Sequence, residues 1–168
     1  MNLSLIVAFD QNYVIGNNNS IPWNFPKDLI NFKKITTNNV CIMGRNTWES
    51  LPDKYKPLPN RINIVISSSY YKNNKLKDLG VLVFKNIIDS INFCKLNYSD
   101  KEIFIIGGSK LYKDSLSFKE LKKMIITHIK YEYPGNVFFP KFQWKDWKVS
   151  KILDINMDFD TIEYIKNV

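Results

Sequence analysis

The stretch LIVAFDQNYVIGNNNSIPWNFPKDLINFK, residues Leu5–Lys33, places an apolar run, a polar segment and a helical pattern in succession. Together with the residues before it, the apolar run covers Leu3–Phe9, which indicates a strand buried on both faces. Residues Asp10–Asn24 are polar and include one glycine and one proline. Such a long loop in a compact domain is commonly functional. Pro26–Thr36 has helical spacing, with proline at its first position. This order predicts the start of an α/β domain.

The rest of the chain alternates strands with helices and then ends in strands alone. Further strands are predicted at Val40–Met43, Ile62–Ile66, Val81–Phe84, Glu102–Ile106, Lys122–Ile129, Trp147–Leu153 and Thr161–Ile165. A short helix is expected up to Leu51, another at Ile87–Leu96, and a third after Gly107-Gly108. We predict one domain over residues 1–168, an α/β fold of three layers. Its central sheet is mixed and mostly parallel, with an antiparallel C-terminal end and about four flanking helices.

The composition excludes several classes of protein. The chain has 168 residues, of which 45% are hydrophobic, as in an ordinary packed core. No apolar run reaches the roughly 20 residues that span a bilayer, and the N-terminus lacks the marks of a signal peptide. Cys41 and Cys94 form no CxxC pair, and His128 is the only histidine. We therefore expect no disulfide framework and no metal site, and we expect buried free thiols in a cytoplasmic protein.

The net charge of +8 is compatible with nucleic acid, a membrane surface or anionic small molecules as partners. The lysines are scattered, with pairs at 33–34 and 122–123 and two more at 72–75. A nucleic-acid footprint clusters on one face, so this pattern favours a solvated basic surface. We predict no nucleic-acid or membrane partner, a small-molecule substrate and a monomer.

Asp28 lies at the edge of an apolar stripe on the first helix. Asp28, Phe32 and Ile35 are at positions i, i+4 and i+7, so they share a face. An acidic residue in the first turn is favoured by the helix dipole, and the spacing alone favours this structural role. The alternative is a desolvated carboxylate in a ligand pocket, where it would pair with a cationic or hydrogen-bond-donating ring.

Two strand-to-helix turns have features that suit phosphate. IFIIGGSKLY, residues Ile103–Tyr112, passes from a strand through two glycines into a helix, and MGRNTWESL, residues Met43–Leu51, repeats the arrangement with Arg45 at the turn. Backbone amides and a helix N-terminus favour phosphate, and a guanidinium can bind it in a bidentate manner. Alone, each turn is also compatible with a tight connection or a surface arginine, and the first lacks the full GxGxxG pattern. Together they suggest a ligand with more than one phosphate.

The ordered set of these segments resembles the dihydrofolate reductase family. Leu5–Lys33 is similar to that family's first strand, mobile active-site loop and first helix. IMGRNTWESL, PLPNRINIVISS, IFIIGGSKLY, ITHI and NVFFP follow in the family's order over nearly the whole chain. The resemblance implies an NADPH-dependent oxidoreductase that reduces 7,8-dihydrofolate to 5,6,7,8-tetrahydrofolate. Hydride transfer to pterin C6 and protonation at N5 would support one-carbon metabolism and thymidylate synthesis.

The resemblance also implies roles at a substrate site. Asp28 would hold the pterin N3 and 2-amino group, and Thr127 would hydrogen-bond that carboxylate and share a water with the ring. Trp23 would help to hold a second water, which completes the catalytic set. Arg61 would pair with the α-carboxylate of the glutamate tail, a bidentate task suited to arginine. The apolar walls and backbone carbonyls would come from Ile6, Val7, Ala8, Leu29, Phe32, Leu58 and Ile106.

For the cofactor, the resemblance implies that residues 16–21 close over the nicotinamide, that Arg45 and Ser68 lie near the adenosine 2′-phosphate, and that residues 107–112 cover the pyrophosphate and ribose. The family joins its two glycines by a cis peptide bond, expected here between Gly107 and Gly108. The complete predicted NADPH-binding set is Ala8, Ile15, Gly16, Ile21, Gly44, Arg45, Asn46, Thr47, Ser67, Ser68, Gly107, Gly108, Ser109, Lys110, Leu111 and Tyr112.

Proton delivery is expected to depend on Asp28 and water. No histidine, cysteine or second acid is placed to donate, because strand alternation points His128 away from the face of Thr127. We expect the apolar pocket to raise the pKa of Asp28 and the carboxylate to raise the basicity of the bound pterin. Direct donation by Asp28 is the second variant. The departures from the family pattern, Asn17–Asn19 and Ile21 in the mobile loop, remove no reactive group.

Two other functions remain compatible with parts of the sequence. A reductase of the same fold that acts on a pyrimidine precursor of riboflavin would share the nucleotide site but would not need the PWNFPKDL segment. A basic binding module without catalysis would account for the net charge of +8. It would not account for a carboxylate, an arginine and two phosphate turns in one chain.

Overall fold

The computed structural model describes residues 2–168, so residue 1 of the predicted domain lies outside the described residues. These residues form five α-helices: α1 Pro26–Thr36, α2 Arg45–Ser50, α3 Asn74–Asp78, α4 Ile87–Asn97 and α5 Ser109–Leu116. They also form ten strands: β1 Asn2–Phe9, β2 Val14–Gly16, β3 Val40–Gly44, β4 Ile62–Ile66, β5 Leu82–Phe84, β6 Glu102–Gly107, β7 Leu121–Ile129, β8 Val137–Phe138, β9 Trp147–Ile155 and β10 Phe159–Lys166.

Eight of these strands make one sheet in the order β5-β4-β3-β6-β1-β7-β10-β9. The pairs from β5 to β7 are parallel, whereas β10 runs antiparallel to both β7 and β9. The predicted fold class, a mostly parallel sheet with an antiparallel C-terminal end, is confirmed. Helices follow the parallel strands and cover both sheet faces, which explains why β1 is apolar almost throughout.

Side-chain alternation along β1 divides the core into two parts. Leu3, Leu5 and Val7 pack with α4 and α5 on one face of the sheet, in the cluster that contains Ile91 and Leu111. Ile6 points to the opposite face and packs with Phe32 and Ile35 of α1. Each fully buried side chain of this kind contributes about 1.5–3 kcal/mol of transfer free energy. The face with Ile6 is the one that carries Asp28.

The described residues form five α-helices where the sequence predicts about four, and the additional one is α3. Helix α3 has the polar sequence NKLKD, whose five residues show no apolar periodicity. It is stabilised locally, since the Asn73 side chain accepts a hydrogen bond from the Lys75 N–H at 2.8 Å, and by burial of Leu76. Within residues 2–168, no helix combines the length and the apolarity needed to cross a membrane.

The segment predicted as a loop over Asp10–Asn24 contains a short strand. β2 pairs antiparallel with β8, which lies more than a hundred residues further along the chain, and the two form a separate sheet. A three-residue strand whose partner is so distant leaves no local pattern. Gly135, just before β8, lies directly against β2, so that a side chain there would meet Val14.

We expect Gly135→Ala to destabilise the protein. A Cβ at Gly135 would lie 2.2 Å from Val14 Cγ1 and 2.7 Å from the Gly16 carbonyl oxygen. Overpacking of this kind costs about 1–3 kcal/mol, which equilibrium urea unfolding would measure. Gly44→Ala is the matched control, because a Cβ there meets nothing closer than 3.8 Å. An unchanged free energy of unfolding in Gly135→Ala would contradict the packing described.

Candidate active site

Asp28, in the first turn of α1, lies beside strand β7 of the central sheet. Thr127 on β7 donates from Oγ1 to Asp28 Oδ1 at 3.0 Å, and its hydroxyl also bonds Thr161 on β10 at 3.0 Å. The pairing of β7 with β10 sets Thr161 directly opposite Thr127. Because a hydroxyl has one proton and Thr127 gives it to the carboxylate, Thr161 is the donor to Thr127. Both threonines are buried, so this chain of bonds fixes the carboxylate.

The electrostatics of Asp28 are those of a partly desolvated carboxylate. Burial raises its pKa above the ordinary value of 3.8, and the nearby Asp154 carboxylate raises it further, while the Thr127 hydrogen bond opposes both. Asp154 itself is bound by Asn31 Nδ2 at 2.9 Å and Lys27 Nζ at 3.2 Å. These bonds lower the pKa of Asp154, with the Asn31 bond as the largest cause. Sequence reasoning missed Asp154 because only the β9–β10 pairing, which sets it beside Thr161, brings it to α1.

The apolar residues predicted around Asp28 divide into three groups. Ile6, Phe32 and Ile106 pack together beneath α1, and Leu58 joins Phe32 in the adjoining cluster. Ala8 packs with Trp23, and its neighbour in the sheet is Thr127, which bonds Asp28. Of the other two predicted wall residues, the Val7 side chain packs on the opposite face of the sheet, and Leu29, next to Asp28 on α1, is 59% exposed. Val7 could therefore contribute only its backbone.

Arg61 lies at the other end of α1. Its Nη1 donates to Thr36 Oγ1 at 3.1 Å and its Nε to the Pro59 carbonyl at 2.8 Å. Its guanidinium stands 5.8 Å from the centre of the Phe32 ring. Thr36 is eight residues beyond Asp28, which corresponds to about 12 Å along the helix axis. The cation and the carboxylate therefore lie at the two ends of α1, and the surface between them, with Phe32 and its neighbours Leu58 and Ile106, is named the Asp28 groove.

Trp23 is buried and packs edge-on against Tyr133, with ring centroids 5.4 Å apart. Tyr133 is a neighbour that sequence reasoning did not identify, since it lies far away in the chain. His128, by contrast, is placed as predicted. It lies on the face opposite Thr127, where Nε2 is hydrogen-bonded to the Tyr164 hydroxyl at 2.8 Å and burial lowers the pKa of the imidazole.

The two glycine turns lie side by side at the ends of β3 and β6. A Cβ on Gly44 would stand 3.8 Å from the Gly107 oxygen and from the Gly108 nitrogen, and a Cβ on Gly107 would come within 3.2 Å of Thr47 Oγ1. The peptide bond between Gly107 and Gly108 is cis, as predicted. These residues form a shallow backbone cradle, at the N-terminus of α5, that side chains would fill.

The residues after the cradle face two ways. Ser109 is half-buried and Lys110 is exposed, whereas Leu111 and Tyr112 are buried in the core with α4. The Tyr112 hydroxyl donates to the Ile6 carbonyl at 2.8 Å. This bond ties α5 to the strand that carries the apolar residues of the Asp28 groove, so the cradle and the groove share β1.

Arg45 is exposed and is held by three side chains that the sequence did not single out. Its Nε donates to Glu49 Oε1 at 3.0 Å, its Nη1 donates to Ser69 Oγ at 3.1 Å, and its guanidinium lies 5.0 Å from the Tyr70 ring centre. The Tyr70 hydroxyl also bonds Glu49. Of the two predicted serines, Ser67 is buried and bonds Ser69 Oγ at 3.1 Å, and Ser68 is exposed beside it.

Residues 17–20 of the predicted active-site loop close into a turn. The backbones of Asn17 and Ser20 bond each other at 2.8 and 3.1 Å, and Asn18 and Asn19 between them have φ of 50° and 63°. Asparagine tolerates this left-handed region better than most residues, which gives Asn18 and Asn19 a structural role. Ile15 packs against the core, and Ile21 is 58% exposed.

Comparison with known proteins identifies the family of this chain. The sequence pattern described as dihydrofolate reductase matches residues 2–164. The chain belongs to the dihydrofolate reductase family. It is similar to the dihydrofolate reductase of Buchnera aphidicola from Acyrthosiphon pisum, with 44% identity over 149 residues that cover 88% of this chain and 85% of the relative.

Two further relatives of this name are more distant. The dihydrofolate reductase of Haemophilus influenzae is 38% identical over 89% of this chain and 85% of its own length, and that of Bacillus subtilis is 37% identical over 88% and 80%. The family consists of oxidoreductases that use a nicotinamide cofactor. The paired glycine turns and their backbone cradle fit the phosphates of such a cofactor.

We expect Asp28→Asn to stabilise the protein at neutral pH. The folded-state pKa of Asp28 lies above its unfolded value, so this group favours folding most at acid pH. That contribution is lost as pH rises from 3.8 through the folded-state pKa. Removing the charge should therefore raise the free energy of unfolding at pH 7 by about 0.5–2 kcal/mol, and less at pH 4.

Urea unfolding at pH 4 and pH 7 measures this difference. Asp89→Asn is the matched control, because Asp89 also lies in the first turn of an 11-residue helix, α4, but is exposed. No stability gain should appear there. Equal or lower stability of Asp28→Asn at pH 7 would contradict the desolvation of Asp28.

Proposed function

We propose that this protein reduces 7,8-dihydrofolate to 5,6,7,8-tetrahydrofolate with NADPH, in support of one-carbon metabolism and thymidylate synthesis. The observation that carries the proposal is the Thr161–Thr127–Asp28 chain, whose two threonines are buried, beside the apolar cluster that contains Phe32 and Ile106. A carboxylate so held presents a second oxygen and a negative charge to a flat ring that donates hydrogen bonds. The pterin N3 and 2-amino groups are donors of this kind.

The groove along α1 suits the rest of the substrate. Phe32 and Ile106 supply apolar contacts for the rings, and Leu58 extends them toward Arg61. Arg61 donates to Thr36 and Pro59 through Nη1 and Nε, and its remaining N–H groups would bind the α-carboxylate of the glutamate tail. The substrate thus lies with its pterin at Asp28 and its tail beyond the end of the helix.

The cradle and Arg45 would hold NADPH. The glycines Gly44, Gly107 and Gly108 allow close approach of the pyrophosphate, and Thr47 lines the same place. Arg45 and the serine turn at 67–69 would bind the adenosine 2′-phosphate. When bound, the cofactor supplies the hydride that is added at pterin C6. Ala8, which stands beside Thr127 in the sheet, would border the nicotinamide and the pterin and so help to position the two rings.

The proton for N5 would arrive through water. The described groups around Asp28 are Thr127, Thr161 and the bonded Asp154, and His128 lies on the other face of the sheet. We assign to Asp28 the stabilisation of the cationic pterin that protonation forms. Trp23 and Thr127 would hold the waters that border this ring.

The exposed edges of the sheet support a monomer. β5 has three residues, and β9 pairs with β10 through two register irregularities and carries Lys148 and Lys151. Short, bulged and lysine-bearing edge strands resist pairing with a second chain.

The two thiols support a reducing, cytoplasmic environment. Both are buried and free, and burial raises the pKa of Cys41 to about 12 and that of Cys94 to about 11.

NADPH oxidation in the presence of dihydrofolate, followed by absorbance, tests the proposal with Asp28→Asn. We expect the turnover rate at pH 7 to fall about 100-fold or more, because the charge that stabilises the protonated ring is lost. Affinity for NADPH should stay within about twofold, since Asp28 is not among the residues that we expect to bind it. Asp89→Asn should retain full activity.

Each outcome distinguishes the candidate functions. Full activity of Asp28→Asn would refute the assignment of Asp28. Binding of NADPH without turnover of dihydrofolate by the wild-type protein would favour a related reductase that acts on another substrate. Failure to bind either ligand would favour a non-catalytic module.

Arg45→Gln tests the assignment of the 2′-phosphate. We expect kcat/KM with NADPH to fall by about 10- to 100-fold, the cost of a charge-assisted hydrogen bond, and kcat/KM with NADH to change little. Lys95→Gln removes the same charge from α4 and should leave the ratio of the two cofactors unchanged. An equal fall with both cofactors would place Arg45 elsewhere than at the 2′-phosphate.

A further inference from the structure

Asp10 is a buried carboxylate that the proposed chemistry does not use. It follows the last residue of β1 directly and is 1% exposed. In the part of the chain that the structure describes, it makes no ion pair. Burial of a charge without a counterion is costly and persists only where hydrogen bonds replace the lost water. The bonds that Asp10 accepts therefore indicate what it is for.

One oxygen of Asp10 holds the turn between β1 and β2. Oδ1 accepts from the Asn12 N–H at 2.9 Å and from the Val14 N–H at 3.0 Å. Tyr13, between them, has φ of 64°, a left-handed conformation that a tyrosine seldom adopts. The carboxylate thus stabilises a strained turn that leads directly into β2, the start of the loop assigned to the nicotinamide.

The other oxygen holds a different part of the chain. Oδ2 accepts from the Tyr133 N–H at 2.9 Å, in the 131–139 segment that contains β8. The Tyr133 ring packs on Trp23, and Asn136 N donates to the Gly16 carbonyl at 3.0 Å. The Asn136 side chain also bonds Asn18 through both its amide oxygen and its amide nitrogen. The 131–139 segment therefore contacts the loop at its beginning, its turn and its end.

We propose that Asp10 is a positioning residue that joins the β1–β2 turn to the 131–139 segment and so sets the position of the 16–21 loop and of Trp23 for the reaction. This inference rests on the proposed function. Two of the three N–H donors belong to the β1–β2 turn and one belongs to the 131–139 segment. Strand β1 by itself does not hold the second of these segments against the first. A single carboxylate can accept from both at once, because its two oxygens point in different directions and each is an acceptor.

Asp10→Asn distinguishes the two bonds that Oδ1 accepts from the one bond that Oδ2 accepts. The asparagine oxygen can keep the Asn12 and Val14 bonds, but its Nδ2 then faces the Tyr133 N–H, donor against donor. Asp100→Asn makes the same change of charge on the exposed turn before β6 and is the control. The measurements are kcat and KM with dihydrofolate and NADPH, and amide hydrogen exchange of peptides that cover residues 10–24, 131–139 and the central strands.

We expect Asp10→Asn to lower kcat about 10- to 100-fold through misplacement of the loop, with KM for dihydrofolate within about twofold. Exchange in residues 10–24 and 131–139 should become about tenfold faster, while β3 and β6 keep wild-type protection. Asn136→Ala breaks the same connection at its other end. Because both changes act through one segment, the double variant should have nearly the kcat of the worse single variant.

Three results would overturn the inference: an unchanged kcat, additive effects in the double variant, or faster exchange throughout the sheet. Global unfolding of Asp10→Asn would also overturn it, since a joint between two loops is not needed for the eight-stranded sheet. Failure of the wild-type protein to reduce dihydrofolate would instead refute the proposed function. The exchange pattern would then still decide whether Asp10 holds the two segments together.

Discussion

The pairing of β1 on both of its edges is the constraint on which the rest of the structure depends. β1 lies between β6 and β7 in parallel register, so that Ala8 stands beside Thr127 and Leu5 beside Ile105. β7 carries Thr127, which donates a hydrogen bond to Asp28. β6 ends at Gly107, the first glycine of the cradle's Gly-Gly pair. A shift of β1 by one residue would exchange its two faces and move Ile6 and Ala8 away from α1. Both parts of the site would then lose their shared wall.

Two carboxylates near this strand show how similar groups take opposite roles. Asp10 accepts three backbone N–H bonds, so its capacity is used within the chain. Asp28 has Thr127 as its hydrogen-bond donor among the described side chains, and burial raises its pKa. A carboxylate that is desolvated and incompletely satisfied is poised to bind a ligand with donor groups. Under the proposed function, the number of donors that the fold supplies separates a structural acid, Asp10, from the acid that binds the substrate, Asp28.

The elements with strong local patterns could be predicted, and those that depend on distant pairing could not. The apolar run of β1, the helical spacing of α1 and the alternation that turns His128 away from Thr127 follow from periods of two and 3.6 residues. β2, α3 and the neighbours of Arg45 lack such periods. Thr161 and Asp154 lie near Asp28 only because β10 pairs with β7 and β9 pairs with β10. The register of such pairs cannot be predicted from the local sequence. The resemblance to a family supplied the residue roles that local patterns left open.

The residues with positive φ show the same difference between local and distant constraints. The described non-glycine residues with positive φ are four asparagines, Asn18, Asn19, Asn38 and Asn60, and the turn residue Tyr13. Asparagine enters the left-handed region at lower cost than β-branched or bulky residues, so turns can accept it where a glycine would otherwise serve. Tyr13 lacks that freedom and lies in the turn that the buried Asp10 carboxylate braces. Where the residue type does not stabilise the turn, a buried hydrogen-bond acceptor does.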